Sequence, residues 1–428
     1  MSREMRHSGI EWIGEIPKEW EVNKIGNLYH VRNEKVSDKD FPPLSVTMNG
    51  IVPQLETAAK TNNGDDRKLV RKGDFAINSR SDRRGSCGVS QYDGSVSLIN
   101  TILMPRTSMN SQYYNWLFHT ELFADEFYKW GHGIVDDLWT TRWQEMKNIS
   151  IVYPSLEEQQ KIANYLDKVC GEVDEMITLQ EQMIEELKAY KQSVITEAVT
   201  KGLNSDVPMR DSGIDWIGKI PEHWEIVRLK ALGGLQNGIS QSGDYFGEDF
   251  EYPFISYSDV YKNIEIPYPS GRANSTIEDR TRYSVLEGDV LFTRTSETIE
   301  EIGFAATCTN TITNAVFSGF LIRFRPNSHR LYKGYSKYYF RSDIHRAYFV
   351  KEMNLVTRAS LSQDLLKNLF VLVPSFSEQQ SIASYLDTKC SEIDALVVIK
   401  QAKIEELKDY KKSVIYEYVT GKKEVTQN

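Results

Sequence analysis

Two clusters of basic residues are the part of this chain best suited to chemistry with a charged partner. Residues 67–84 hold Arg67, Lys68, Arg71, Lys72, Arg80, Arg83 and Arg84 against Asp74 and Asp82. Residues 323–358 hold nine basic side chains against Asp343 and Glu352. Such clusters neutralise nucleic-acid phosphates, and an arginine can also grip the O6 and N7 edge of guanine with two donors. The bland alternative for any charge run is a solvated face. Having one cluster in each half of the chain favours DNA contact. Other chemistries lack their residue sets. Residues 213–220 read GIDWIGKI, which approaches a phosphate-binding loop, but Ile220 has no hydroxyl for magnesium and Glu15 stands where the sister copy would need lysine. The seven histidines are scattered, and the four cysteines (Cys87, Cys170, Cys308, Cys390) lie far apart with no C-x-x-C. The one Pro-Pro, in FPPL at Phe41, lacks the flanking residues that adenine methyltransferases place around their target base. The sequence offers no active site.

The elements that must position these arginines are duplicated. Residues 8–22 read SGIEWIGEIPKEWEV and residues 212–226 read SGIDWIGKIPEHWEI, identical at 10 of 15 positions at an offset of 204. Residues 154–202 and 374–422 match at 26 of 49 positions at an offset of 220. The blocks between, roughly 23–153 and 227–373, share little. The order is short tag, divergent block and helical block, then the same again.

The helical blocks open with Ser155 three residues before Glu158, and Ser375 three before Glu378, each the pattern of a capping box. In the first copy Ile162, Leu166, Val169, Val173, Met176, Met183, Leu187, Tyr190 and Val194 alternate by four and three, with Gln180 the one interruption. That is a coiled-coil seam about 69 Å long at 1.5 Å per residue. The divergent blocks read as mixed α/β. Residues 41–53 and 252–260 look like strands, and Gly73-Asp74 and Gly288-Asp289 each turn into an apolar run, FAIN and VLFT. Residues 113–130 and 331–350 look like helices whose aromatics form domain cores.

Composition fits this picture. The 428 residues are 40% hydrophobic and 26% charged, as in globular proteins, and no apolar run exceeds five residues. A membrane span and an export signal are not expected, so the chain reads as cytoplasmic with free thiols. The formal net charge of −9 argues against a nucleic-acid partner until it is divided. Residues 154–202 carry −5, whereas 21–153 and 225–373 each sum to zero, so the acid lies on helices and tags.

Two divergent blocks joined by near-identical helices, each opening P-S-[LF]-x-E-Q-Q-x-I-A-x-Y-L-D, resemble the specificity subunit of type I restriction–modification systems. The resemblance covers the whole chain, and PLSVTMNGIVP (43–53) and YPFISYSDV (252–260) look like pieces of that family's recognition domains. It implies an α/β (mixed α+β) chain with two globular target-recognition domains separated by two long antiparallel helices, related by an internal pseudo-two-fold repeat. The divisions are 1–153 for the first tag and recognition domain, 154–202 for the central helix, 203–373 for the second tag and domain, and 374–428 for the last helix. It further implies a non-catalytic, sequence-specific DNA-binding subunit that reads a bipartite asymmetric site and docks two methylation subunits and motor–nuclease restriction subunits. S-adenosylmethionine, ATP and magnesium belong to those partners. A coiled-coil scaffold that reads no DNA is the competing function.

Three expectations are specific. Asn78, Arg80, Ser81, Arg83, Arg84, Arg294, Thr295, Ser296, Thr357 and Arg358 face DNA, with Arg80 and Arg294 reading bases and Arg83, Arg84 and Arg358 nearer phosphates. Ile177, Ile184, Ile195, Ile404 and Ile415 flank the seam and are covered by a protein partner. If the helices cross at their centres, facing residue numbers total about 575, which sets Lys389 opposite Glu186, Lys400 opposite Glu175 and Lys403 opposite Glu172.

Overall fold

The computed structural model describes residues 3–54, 64–80, 83–133, 139–240, 245–247, 249–295, 302–327, 329–353 and 361–426, the side chains of 350–353 excepted. Its contacts form two compact units, Met1–Glu181 with Gln401–Asn428, and Gln182–Lys400.

In the first unit the tag is a hairpin, Met5–His7 antiparallel to Glu15–Pro17. Gly9 and Gly14 bracket its turn at φ +76°, a region only glycine enters cheaply. Strand Glu21–Lys24 then pairs antiparallel with Ser150–Tyr153, which leads into the first long helix. The divergent block builds a four-stranded antiparallel sheet in the order Cys87–Val89, Phe75–Asn78, Asn100–Pro105, Tyr29–Arg32. Helices Ser111–Phe118 and Glu121–Lys129 pack their aromatic residues on it, and Tyr113, Tyr114, Phe118, Phe123 and Phe127 are fully buried. These aromatics are core, as expected.

The second unit repeats the plan. Met209–Asp211 pairs with Lys219–Pro221, and Glu225–Arg228 with Phe370–Val373 ahead of the second long helix. Its four-stranded sheet runs Ala305–Thr307, Val290–Thr293, Leu321–Pro326, Gly233–Asn237, the same order. Both apolar runs after the Gly-Asp turns are strands in these sheets. Residues 252–260 are only half strand: Tyr252–Ile255 is extended, and Tyr257–Lys262 is helical. Ser256 and Asp259 form a reciprocal capping box that starts a helix where the apolar residues suggested continued strand.

The long helices are Leu156–Lys201 and Phe376–Val419. Ser155 and Ser375 accept from the backbone N–H of Glu158 and Glu378, but neither glutamate completes the box. Each carboxylate instead takes the indole N–H of its tag tryptophan, Trp20 at 2.8 Å and Trp224 at 3.0 Å. The next motif residue is also fixed. Gln159 and Gln379, fully buried, accept from the backbone of Asn110 and Tyr332 and donate to Pro154 and Pro374. The helices end at Gly202 and Gly421 with φ near +75°. A Cβ on Gly421 would lie 2.5 Å from the Pro17 ring.

Two expectations about the helices are corrected. The buried seam runs through Leu166, Cys170, Val173, Ile177, Gln180, Ile184, Leu187, Lys191 and Val194, while Met176, Met183 and Tyr190 are exposed. An apolar count passes over Cys170 and Lys191, which hold seam positions, and so slips to the adjacent face. The register differs as well. Lys411 pairs with Asp174 in the first unit and Lys191 with Asp394 in the second, both antiparallel, with numbers totalling 585. Lys389 and Lys403 bond instead to Glu392 and Glu406 one turn along their own helix. The shift arises because each helix begins with a stretch engaged by its recognition domain. Ile162 and Ala163 belong to the first domain's core, so facing contacts begin only near Tyr165, whose hydroxyl meets that of Tyr418.

Candidate nucleic-acid interface

In the first domain, strand Phe75–Asn78 delivers Ser79 and Arg80 to the end of the sheet. Asn78 is buried, and its amide oxygen accepts from the Arg80 N–H at 3.0 Å, which turns the chain at once. The Ser79 N–H donates to the Ile99 carbonyl, and its carbonyl accepts from Thr141. In the second domain, Arg294 makes the same two backbone bonds, to Phe320 and from Leu361. The structural counterpart of Arg294 is therefore Ser79, and that of Arg80 is Thr295. Both arginines sit at the same end of their sheets, one residue apart in register.

Most of the neighbouring basic residues are engaged within their own domains. Arg67 is buried and donates to the Ser95 hydroxyl and carbonyl, Lys68 bonds to Asn100, and Arg71 pairs with Asp93. Arg84 pairs with Asp125 and lies over Tyr128, and Arg83 closes a turn on Arg80. In the second cluster, Arg323 donates to Ser284 and Gln236, Arg325 pairs with Asp289, and Arg330 with Glu225. Lys333 pairs with Glu287 and Lys337 with Asp387, while Arg341 and Arg346 donate to backbone carbonyls and stack on Phe304. Burial holds the Arg323 guanidinium down to about 10, with Arg325 beside it adding repulsion. The larger cluster is thus mainly internal bracing. Sequence counting could not separate a brace from a reader, because both are arginine.

Against that background two side chains stand out. The Arg80 and Arg294 guanidinium groups make no hydrogen bond or ion pair among the described residues. Arg80 is exposed, and Arg294 and Thr295 are half-buried. Ser81, Ser296, Thr357 and Arg358 lie outside the described residues. Leu361 is nonetheless brought beside Arg294 by its backbone hydrogen bond, and Thr141 beside Ser79, with Thr140 bridging Arg80.

Of the flanking isoleucines, Ile195 lies in the second domain's core, and Ile184 and Ile404 are also buried, so these three need no further cover. Ile177 and Ile415 are half-buried. The apolar side chains left exposed are others: Met176, Leu179, Met183 and Tyr190 on one helix face, and Leu396, Ile399 and Tyr410 at the matching positions of the second. Among the described residues no cluster of His, Cys, Asp and Glu could hold a metal ion, and no helix is long and apolar enough to cross a membrane.

Comparison with known proteins agrees with this arrangement. The family model described as type I restriction modification DNA specificity domain matches residues 17–189 and 221–409. The chain is 23% identical to a putative type I restriction enzyme MjaX specificity subunit of Methanocaldococcus jannaschii, over 96% of this chain and 95% of that one. It is 27% identical to the EcoKI specificity subunit of Escherichia coli K12, over 55% and 49%. A chain from a structure titled as the basis of complex assembly and conformational transition of the type I R-M system superposes with a TM-score of 0.72 at 16% identity, covering 95% and 99%. The HsdS subunit of Thermoanaerobacter tengcongensis superposes at 0.53, also with 16% identity, covering 95% and 98%. The chain belongs to the type I restriction–modification specificity subunits, the non-catalytic DNA-specificity component of those enzymes.

Proposed function

We propose that this chain reads a bipartite, asymmetric site on double-stranded DNA, one half-site per recognition domain. The observation that carries this is the matched pair of sheet ends, each presenting one arginine whose guanidinium has no partner among the described residues while the arginines around it are braced. In this reading Arg80 and Arg294 read base edges, Arg83, Arg84 and Arg358 contact phosphates, and Asn78, Ser81, Thr295, Ser296 and Thr357 supply further DNA contacts. Arg84 can exchange its half-exposed Asp125 partner for a phosphate at small cost, since such pairs contribute only about 0–1 kcal/mol.

The chain also docks two methylation subunits. The exposed apolar positions Met176, Leu179 and Tyr190 recur as Leu396, Ile399 and Tyr410 at the 220-residue offset, and a duplicated surface suits two copies of one partner. Ile177 and Ile415 border these faces. Restriction subunits join the same complex in the cytoplasm. S-adenosylmethionine, ATP and magnesium act in the partners, and this chain supplies specificity.

A titration of the purified chain with duplex DNA at several salt concentrations tests the reading. Log affinity should fall steeply against log salt, by about 0.9 for each phosphate neutralised, with a cognate duplex preferred. Binding without sequence preference or salt dependence would leave only a coiled-coil scaffold.

A further inference from the structure

The end of the second domain's sheet carries more than Arg294. Asn237 closes strand Gly233–Asn237 opposite Ile322, and Thr293 closes its strand opposite Leu321. Asn237, Phe320 and Arg294 therefore share one end of three adjacent strands. The Arg294 N–H donates to the Phe320 carbonyl at 2.8 Å, and Leu361 donates to the Arg294 carbonyl at 2.7 Å. Two residues further on, the Gln363 side chain bonds to the Asn237 side chain at 3.0 Å.

That amide pair has a useful remainder. Each primary amide offers an NH2 group and a carbonyl, and the bond between them uses one N–H and one carbonyl lone pair. Whichever amide donates, the other keeps a whole NH2 group, and the donor keeps its carbonyl. Both residues are half-exposed, so the remaining donor and acceptor can be reached from outside. Phe320 beside them is 62% exposed, whereas nearly all described aromatics of this domain are buried or half-buried. The backbone just before it is closely packed: a Cβ on Gly319 would lie 2.4 Å from the Ser240 hydroxyl and 2.8 Å from the Ile239 carbonyl oxygen.

We propose that Asn237 and Gln363 together read an adenine, donating to N7 and accepting from the N6 amino group, with Phe320 against the methyl of its paired thymine. Adenine is the base whose major-groove edge shows an acceptor beside a donor, and thymine supplies the apolar spot on the same pair. Leu361 and Gln363 are at most about 7 Å apart along the chain, so this pair lies within about two base pairs of the base read by Arg294. The first domain lacks the device. Asn33 matches Asn237, but Trp143 stands at the place of Gln363 and Ile99 at that of Phe320. The signature therefore belongs to one half-site alone.

This inference rests on the DNA-reading function proposed above, and one experiment separates the two. Methylated sites are mapped by single-molecule sequencing in cells carrying the complete system with the native chain, Gln363→Leu or Gln363→Glu. Gln363→Leu should lower adenine preference roughly 10–100-fold at one position of one half-site, leaving the other half-site unchanged. Gln363→Glu keeps the shape but offers only acceptors, and should move that position toward cytosine, whose edge presents an amino donor. Unaltered sites for both variants, or uniform loss of methylation with both, would overturn the proposal. If the native chain itself directs no bipartite methylation, the DNA-reading function is what fails.

Discussion

The two recognition domains share their clamp and differ in their reading edge. In both, a tag tryptophan donates to a helix-opening glutamate, a buried glutamine ties that helix to the domain, and a tyrosine hydroxyl, Tyr113 or Tyr335, reaches the carbonyl of Val419 or Val199 at the other helix's end. One intermediate case is instructive. Asp74 and Asp289 follow the same turn glycine at φ +90°, and both are buried. Arg32 answers Asp74 from the edge strand, whereas Arg325 answers Asp289 from the neighbouring strand. A buried carboxylate requires a cation but does not specify which strand supplies it. At the sheet end even that requirement is gone, and Ser79 faces Arg294 across the duplication. Packing constraints fix the scaffold, and the reader is free to vary.

The largest expected effect would break the shared part. Trp20→Ala and Trp224→Ala each remove a fully buried indole and one of the partners of a glutamate that keeps Arg3 or His223, and should cost about 3–5 kcal/mol by denaturant unfolding, alike in both domains. A marked difference between the two would show that the clamps are not equivalent. Next, Arg325→Met leaves Asp289 buried without its cation, at about 3 kcal/mol. Arg32→Gln should do the same to Asp74, and adding Met104→Arg, at the position matching Arg325, should recover much of that loss. No recovery would reject the strand exchange.

A smaller effect concerns acid. Burial pushes His345 down to about 3, with Arg346 adding repulsion, so the folded chain holds it neutral. Its contribution is complete above the unfolded value of about 6.5 and is lost as pH falls toward 3. At pH 5 that amounts to about 2 kcal/mol. His345→Phe should flatten the acid limb of a stability–pH curve, though not wholly, because burial lowers His119 in the first domain too. An unchanged limb would assign acid sensitivity elsewhere. Smallest are the interhelical pairs: Lys191→Ala and Lys411→Ala should each cost about 0–1 kcal/mol, and equally, in double-mutant cycles with Asp394 and Asp174.

The duplication made most of the fold legible in the sequence. Repeated tags mark the start of each half, repeated capping serines the helix starts, and the Gly-Asp turns one strand of each sheet. Apolar spacing places the seam at Leu166, Val173, Leu187 and Val194 but falls one position short at Val169, Met176, Met183 and Tyr190, because Cys170 and Lys191 are not strongly apolar. The crossing point was misplaced because sequence periodicity carries no information about which helical turns a domain has already engaged. Arg80 and Arg294 were named from turn chemistry, but their neighbours could not be sorted. The bracing role of Arg323 to Arg346 depends on carboxylates and carbonyls distant in sequence, such as Glu225, Asp289 and Ile302. Asn237, Phe320 and Gln363 left no local signal, since only the sheet brings them together.

The central claim is that each domain reads its own half-site through the arginine at its sheet end, Arg80 or Arg294, which has no partner among the described residues. Genome-wide methylation mapping with Arg80→Ala and, separately, Arg294→Ala tests it most directly. Each substitution should relax one position of one half-site, worth about 1–3 kcal/mol of discrimination, and leave the other half-site intact. Relaxation of both halves by either substitution, or of neither, would contradict it.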